Sequence, residues 1–186
     1  MSNKFCKHLN LEFDFNLSVV DQFKTSVSHS AKSFRLNEID SNVYNFLNSL
    51  NIITAPPACF YTPPGADRGL PHVDSMELNN MVKLNYIIGG KNTVMQWFKF
   101  NGNNKNIIHQ HNGLGSGYLK FDQSMCELIW EEEIKGPCLV NAGIPHNVKN
   151  RSDTDRWSIS YTLFDLNNNH LQWSDAEQIF KNYFGP

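Results

Sequence analysis

The chain has 186 residues, a formal net charge of −2 and 40% hydrophobic residues, enough for one domain, 1–186, with a substantial core and no Pro/Gly/Ser-rich linker dividing it. Lys and Arg are scattered with no basic run, so nucleic acid is a weak candidate partner and none is expected. No apolar run approaches the roughly 20 residues that span a bilayer, and the opening Met-Ser-Asn-Lys-Phe-Cys-Lys-His lacks a signal-peptide core, so the expectation is a soluble, cytoplasmic protein with no membrane partner.

In chain order, residues 18–32 and 37–50 have helical apolar spacing, the second through Ile39, Val43, Phe46, Leu47 and Leu50. From residue 51 the texture changes to short apolar runs broken by Pro, Gly and Asn: 52–61, 81–88, 93–100, 118–121, 128–134, 138–140 and 157–164. That pattern predicts an all-β core. Residues 101–117, rich in Asn and Gly, read as a long loop beside a site. Ser174-Asp175-Ala176-Glu177 has capping-box spacing and predicts a terminal helix over 174–184. Cys6, Cys59, Cys126 and Cys138 are far apart with no Cys-x-x-Cys pair, and are expected to be buried free thiols.

Four side chains carry the chemistry. In an extended segment, His72 and Asp74 of His-Val-Asp project to one side while Val73 faces away. His146 follows Gly143-Ile144-Pro145, a turn that precedes another extended run. Two imidazoles and one carboxylate are the protein's share of a non-haem ferrous site with open positions.

Arg156 lies ten residues after His146. A hairpin of 147–150 with 156–164 about the polar turn 151–155 would set Asn150 opposite Arg156 and His146 opposite Ser160, leaving His146, Arg156 and Ser158 on one face. Four residues separate the two levels by ~13 Å, a gap that the arginine side chain and a five-carbon dicarboxylate can bridge. Arg156, with the Ser158 hydroxyl, would hold the distal carboxylate in a charge-assisted pair. The inferred cosubstrate is 2-oxoglutarate. The plainer alternative is that Arg156 pairs with Asp153 or Asp155.

Cys59-Phe60-Tyr61-Thr62-Pro63-Pro64-Gly65, then Pro71-His72-Val73-Asp74-Ser75, Pro145-His146-Asn147-Val148 and Arg156-Trp157-Ser158, resemble the 2-oxoglutarate and Fe(II)-dependent dioxygenase superfamily, in its prolyl-4-hydroxylase-like branch. The resemblance spans about residues 58–163. It implies a mainly β fold with flanking helices, the double-stranded β-helix or cupin-like jelly roll. It further implies Fe(II) on His72, Asp74 and His146, the distal carboxylate on Arg156 and Ser158, and Tyr61 hydrogen-bonded to the cosubstrate, with Asn85 as an added contact. Tyr61 can equally be a core aromatic with a satisfied hydroxyl, and Asn85 an ordinary strand polar group. The reaction implied is hydroxylation of an unactivated C–H bond using O2 and 2-oxoglutarate, with ascorbate a candidate stimulant. Many prolyl hydroxylases carry lysine where Arg156 stands. The substrate therefore stays open between a peptidyl proline, another peptide side chain, and a free amino acid or small metabolite.

Two other classes compete. A β-sandwich binding module would keep the fold and perform no oxidation. A metal-dependent cupin enzyme would be built on His109 and His111, alternate residues that a strand would turn to one side, although no suitably spaced glutamate follows. Glu131-Glu132-Glu133 reads as a solvated acidic face. Gly113, Gly115 and Gly117 lack the lysine and the strand-to-helix context of a phosphate loop. Oligomeric state is not legible.

Overall fold

The computed structural model describes residues 3–185 except Glu12, Asp14, Asn16, Ser28 and Arg68. The strands are β1 (Cys6–His8), β2 (Lys32–Arg35), β3 (Ile53–Thr54), β4 (Ala58–Thr62), β5 (His72–Val73), β6 (Val82–Gly89), β7 (Val94–Phe100), β8 (Ile107–His111), β9 (Gly117–Phe121), β10 (Cys126–Glu133), β11 (Gly136–Asn141), β12 (His146–Lys149) and β13 (Arg156–Phe164). The helices are α1 (Asp21–Lys24), α2 (Ser41–Ser49) and α3 (Trp173–Ile179).

All strand pairs are antiparallel and form two sheets. The larger runs β1-β11-β6-β13-β4-β2, with β3 also on β13, and the smaller runs β10-β7-β12-β5-β9-β8. From β4 to β7 and again from β10 to β13 the chain alternates between sheets. This alternation winds the strands into a double-stranded β-helix, so the mainly β jelly roll anticipated above is the fold.

Strand alternation divides the core. On β13, Trp157, Ile159, Tyr161 and Leu163 point outward, where they pack with Val43 and Leu47 of α2 and with Ala176 and Phe180. Arg156, Ser158 and Ser160, the residues between them, face the cavity between the sheets. A buried polar row in the middle of a sheet is costly without partners, so the interior is built to hold something other than a hydrophobic core.

Several local expectations change. The predicted helix over 18–32 reduces to a 3-10 turn, Leu17–Val20, and the four residues of α1, after which Lys32 opens β2. Thr25, Ser26 and Val27 explain the early stop: hydroxyls compete for the backbone and a β-branched side chain is restricted in a helix. The second helix begins only at Ser41, because the Asp40 carboxylate accepts from the N–H of Asn42 and Val43 and caps it. The C-terminal helix begins at Trp173 with Gln172 as its uncapped N-cap residue, so the anticipated box from Ser174 to Glu177 does not form. Pro56 and Pro57 split the expected strand over 52–61 into β3 and β4. The expected loop over 101–117 contains β8, paired with β9 as a hairpin.

Candidate metal centre

β5 is two residues long and is held at both flanks, by Phe121 N–H on the Pro71 carbonyl at 2.8 Å and Asp74 N–H on the Ala142 carbonyl at 3.1 Å. His146 opens β12 directly across from His72. Residues directly opposite on neighbouring antiparallel strands point the same way, and the two imidazole centroids lie 4.6 Å apart. With Asp74 they form a cluster whose ligand atoms all lie within 4.8 Å of one another, the one such group among the described residues.

Both imidazoles are oriented by the same device. His72 Nδ1 meets the Leu70 carbonyl at 3.2 Å and His146 Nδ1 meets the Ile144 carbonyl at 2.9 Å, each two residues upstream. A carbonyl only accepts, so Nδ1 carries the proton and Nε2 is the nitrogen that could ligate a metal. Burial pushes the His146 imidazole below its ordinary pKa against the pull of Asp74, which keeps it in the neutral form that ligates.

Asp74 is governed by Lys83 of β6, whose Nζ donates to Oδ2 at 2.8 Å. Burial alone would raise the Asp74 pKa, but the adjacent Lys83 charge and its hydrogen bond hold it well below the ordinary carboxylate range. Two imidazole nitrogens and one ionised oxygen converging on one point suit a divalent metal such as ferrous iron.

Beside this cluster lies a cavity of about 70 Å3, closed on the large-sheet side by Phe60, Asn85, Arg156, Ser158 and Ser160. Arg156 is 3% exposed. Gly90, at a φ of +63°, makes room for it, since a Cβ there would come within 2.7 Å of Arg156 Cβ. The Asn85 Oδ1 is buried without a hydrogen-bond partner among the described residues, and Asn85 lines this cavity.

The structure brings His72, Asp74, His146, Asn85, Arg156 and Ser158 to one cavity, though not by the expected register. β12 pairs with β5 and β7, and β13 with β4, β6 and β3. His146 and Arg156 therefore belong to opposed sheets rather than to one hairpin. Asn150, expected opposite Arg156, instead donates to the Thr62, Pro63 and Thr154 carbonyls and so fixes the turn before β13.

Tyr61 is displaced from the role the resemblance implied. Its ring packs outward against Trp157, 4.8 Å between centroids, and its hydroxyl donates to Asp155 Oδ1 at 2.8 Å. Burial and that carboxylate push the phenol up to about 12. Its neighbour Thr62, opposite Arg156 in register, takes the inward face instead, with its Oγ1 buried and without a hydrogen-bond partner. Sequence reasoning missed Thr62, Lys83 and Ser160. Strand alternation signals the parity of Thr62 and Ser160 once one inward residue is known, whereas nothing in the sequence points Lys83 at Asp74.

His109 and His111 are exposed on β8 and join no metal-like cluster among the described residues. Their geometry removes the basis for a centre built on them. Of the acidic run, Glu131 forms a two-pronged pair with Arg151 at 2.9 and 2.7 Å, on the surface.

A larger cavity of about 710 Å3 opens outward from His72 and Asp74. β2, β4 and β13 supply its large-sheet wall and β9 the opposite one, with Tyr118 edge-on to His72 at 6.1 Å. The arrangement is a cluster able to hold a metal ion, set between a small cavity and a much larger one.

Comparison of the sequence with protein-family profiles and with curated proteins finds no match. Among solved structures, this chain is similar to ycfD of E. coli, at 13% identity and a TM-score of 0.39 over 68% of this chain and 30% of that one. It is similar to a predicted oxalate decarboxylase of Thermotoga maritima, at 15% identity and a TM-score of 0.33 over 73% and 81% of the two chains. An oxalate oxidase in complex with glycolate gives 13% identity and a TM-score of 0.37 over 80% and 58%. The chain spans less than a third of the E. coli protein's length.

Proposed function

We propose that this chain is a 2-oxoglutarate- and Fe(II)-dependent oxygenase that hydroxylates a C–H bond of a peptide side chain or small metabolite. The observation that carries this reading is that the metal-binding cluster and a buried arginine line one small cavity from opposed sheets. A metal site alone needs no buried guanidinium, and a guanidinium so placed matches the far end of a dicarboxylate.

His72, Asp74 and His146 would hold the iron. With 2-oxoglutarate and O2 the metal would supply an oxidation that turns the cosubstrate into succinate and CO2 while one oxygen atom enters the substrate's C–H bond.

The chain's own work is binding, orientation and exclusion of water. Arg156 would grip the distal carboxylate with two parallel N–H donors, and the Ser158 hydroxyl and Asn85 amide would complete its hydrogen bonding. The Leu70 and Ile144 carbonyls fix the imidazoles, and Lys83 fixes Asp74. Phe60, Met95 and Val148 keep the chamber apolar where no polar group is needed.

The test is anaerobic addition of Fe(II) and 2-oxoglutarate, read by the weak visible charge-transfer band of the ternary complex. The expected result is a band in wild-type protein that Arg156→Ala weakens and Asp74→Ala abolishes. No band from folded wild-type protein with metal bound would overturn the cosubstrate assignment and favour a cupin-type metalloenzyme without 2-oxoglutarate.

A further inference from the structure

Within the outer cavity, basic groups exceed acidic ones. Lys83 is matched by Asp74, with Nζ to Oδ2 at 2.8 Å. Two cations remain: Arg35 on β2 of the large sheet and Lys120 on β9 of the small sheet. Neither makes an ion pair among the described residues. Arg35 spends one donor, Nη2, on the neutral Leu114 carbonyl at 2.7 Å, and Lys120 Nζ stands 5.6 Å from the centre of the Tyr118 ring. The other acid of the wall, Glu77, is exposed and makes no ion pair with Arg35 or Lys120 among the described residues.

Lys120 also has a fixed relation to the metal cluster. It pairs directly with His72 across β9 and β5, so the two side chains leave the same face with Cβ atoms about 5 Å apart. A solvated surface lysine has no need of this position. Cations entering one cavity from opposed walls, without a carboxylate for either, are complementary to an anion.

We infer that the substrate, in the reaction proposed above on which this inference rests, carries a carboxylate or phosphate group held between Lys120 and Arg35. Because Lys120 is a strand neighbour of His72, that acid group belongs to the same small unit as the reacting carbon. The chemistry shared by an acidic amino-acid side chain, a free α-carboxylate and a phosphate ester satisfies this arrangement. A neutral prolyl unit with no acid nearby does not.

The test is calorimetric titration of the chain, with 2-oxoglutarate in excess so that the inner chamber is filled, using inorganic phosphate, N-acetyl-aspartate and the neutral isostere N-acetyl-asparagine. Wild-type protein is expected to bind phosphate, N-acetyl-aspartate or both, and to prefer the aspartate to the asparagine. Lys120→Met and Arg35→Met are each expected to weaken that binding by about tenfold, the value of one charge-assisted hydrogen bond. Binding of phosphate alone, or of the carboxylate alone, names the source of the anion. No binding of either anion, equal binding of aspartate and asparagine, or no change in both variants overturns the inference. Both variants should retain the anaerobic charge-transfer band. A missing band with intact anion binding defeats the proposed reaction and spares the anion site, and the reverse result does the opposite.

Discussion

Lys83 donates to Oδ2 of Asp74 at 2.8 Å, and the bond leaves Oδ1 as the oxygen turned toward His72 Nε2, 3.7 Å away. The side chains are 11% and 22% exposed. A pair so far removed from water is retained at a desolvation cost, and its position suits the proposed site: it would present a flexible carboxylate to a metal through one designated oxygen.

Lys83→Met is therefore expected to leave Asp74 as an uncompensated buried charge and to destabilise the metal-free protein by about 3 kcal/mol. A divalent cation on Asp74 replaces the lost positive charge, so the deficit should shrink when the metal is bound. Denaturant unfolding with and without Mn(II) measures both numbers; an identical deficit in the two states would contradict this account of the pair.

Metal affinity separates the cluster from its rival. Outer partners of metal ligands alone are worth 10–100-fold in affinity, so His146→Ala and Asp74→Ala should each lower Fe(II) affinity by more than about 100-fold. The double variant His109→Ala/His111→Ala should leave it unchanged, as equilibrium dialysis with metal analysis would show.

At the far end of the chamber, Arg156→Lys retains the charge but loses the two-pronged geometry, and should weaken 2-oxoglutarate binding by about tenfold with metal affinity intact. Thr62→Val should move two quantities in opposite directions. It removes a buried hydroxyl without a hydrogen-bond partner, which should raise the stability of the ligand-free protein by about 1 kcal/mol. It also removes a hydroxyl from Arg156's face and should cost on the order of fivefold in 2-oxoglutarate affinity.

Tyr61→Phe distinguishes the observed geometry from the expectation attached to the resemblance. With the hydroxyl bound to Asp155, the substitution should cost about 1 kcal/mol of stability and leave 2-oxoglutarate affinity unchanged in the same titration.

Thiol reactivity tests the core. Cys6, Cys59 and Cys138 are buried, and burial raises the Cys138 thiol to about 12. At mildly alkaline pH only Cys126, the partly exposed thiol, should be alkylated in the folded protein, and it slowly, since burial and Asp122 push it up to about 11. Mass spectrometry after brief iodoacetamide treatment gives the pattern, with all four modified in denaturant.

Much of the β core was legible from short apolar runs, because a strand's period of two is a local property. The same period made His72 and Asp74 a pair before any partner was known. Parity alone, however, does not say which face is inward. The two readings of Tyr61 divide on that point, and its geometry is that of the core aromatic with a satisfied hydroxyl: Thr62 is the residue opposite Arg156, and only the packing of α2 and the C-terminal helical segment against the large sheet decides that Tyr61 faces out.

By itself the sequence determined the types of the candidate ligands, their spacing and the arginine that follows them. The tertiary structure alone decided that His146 and Arg156 come from opposed sheets, that Lys83 anchors Asp74, and that Lys120 stands beside His72. The physical reason is that strand pairing in a jelly roll joins segments distant in the chain. Which strands become neighbours is settled by the summed burial of both sheets, a quantity no single segment encodes.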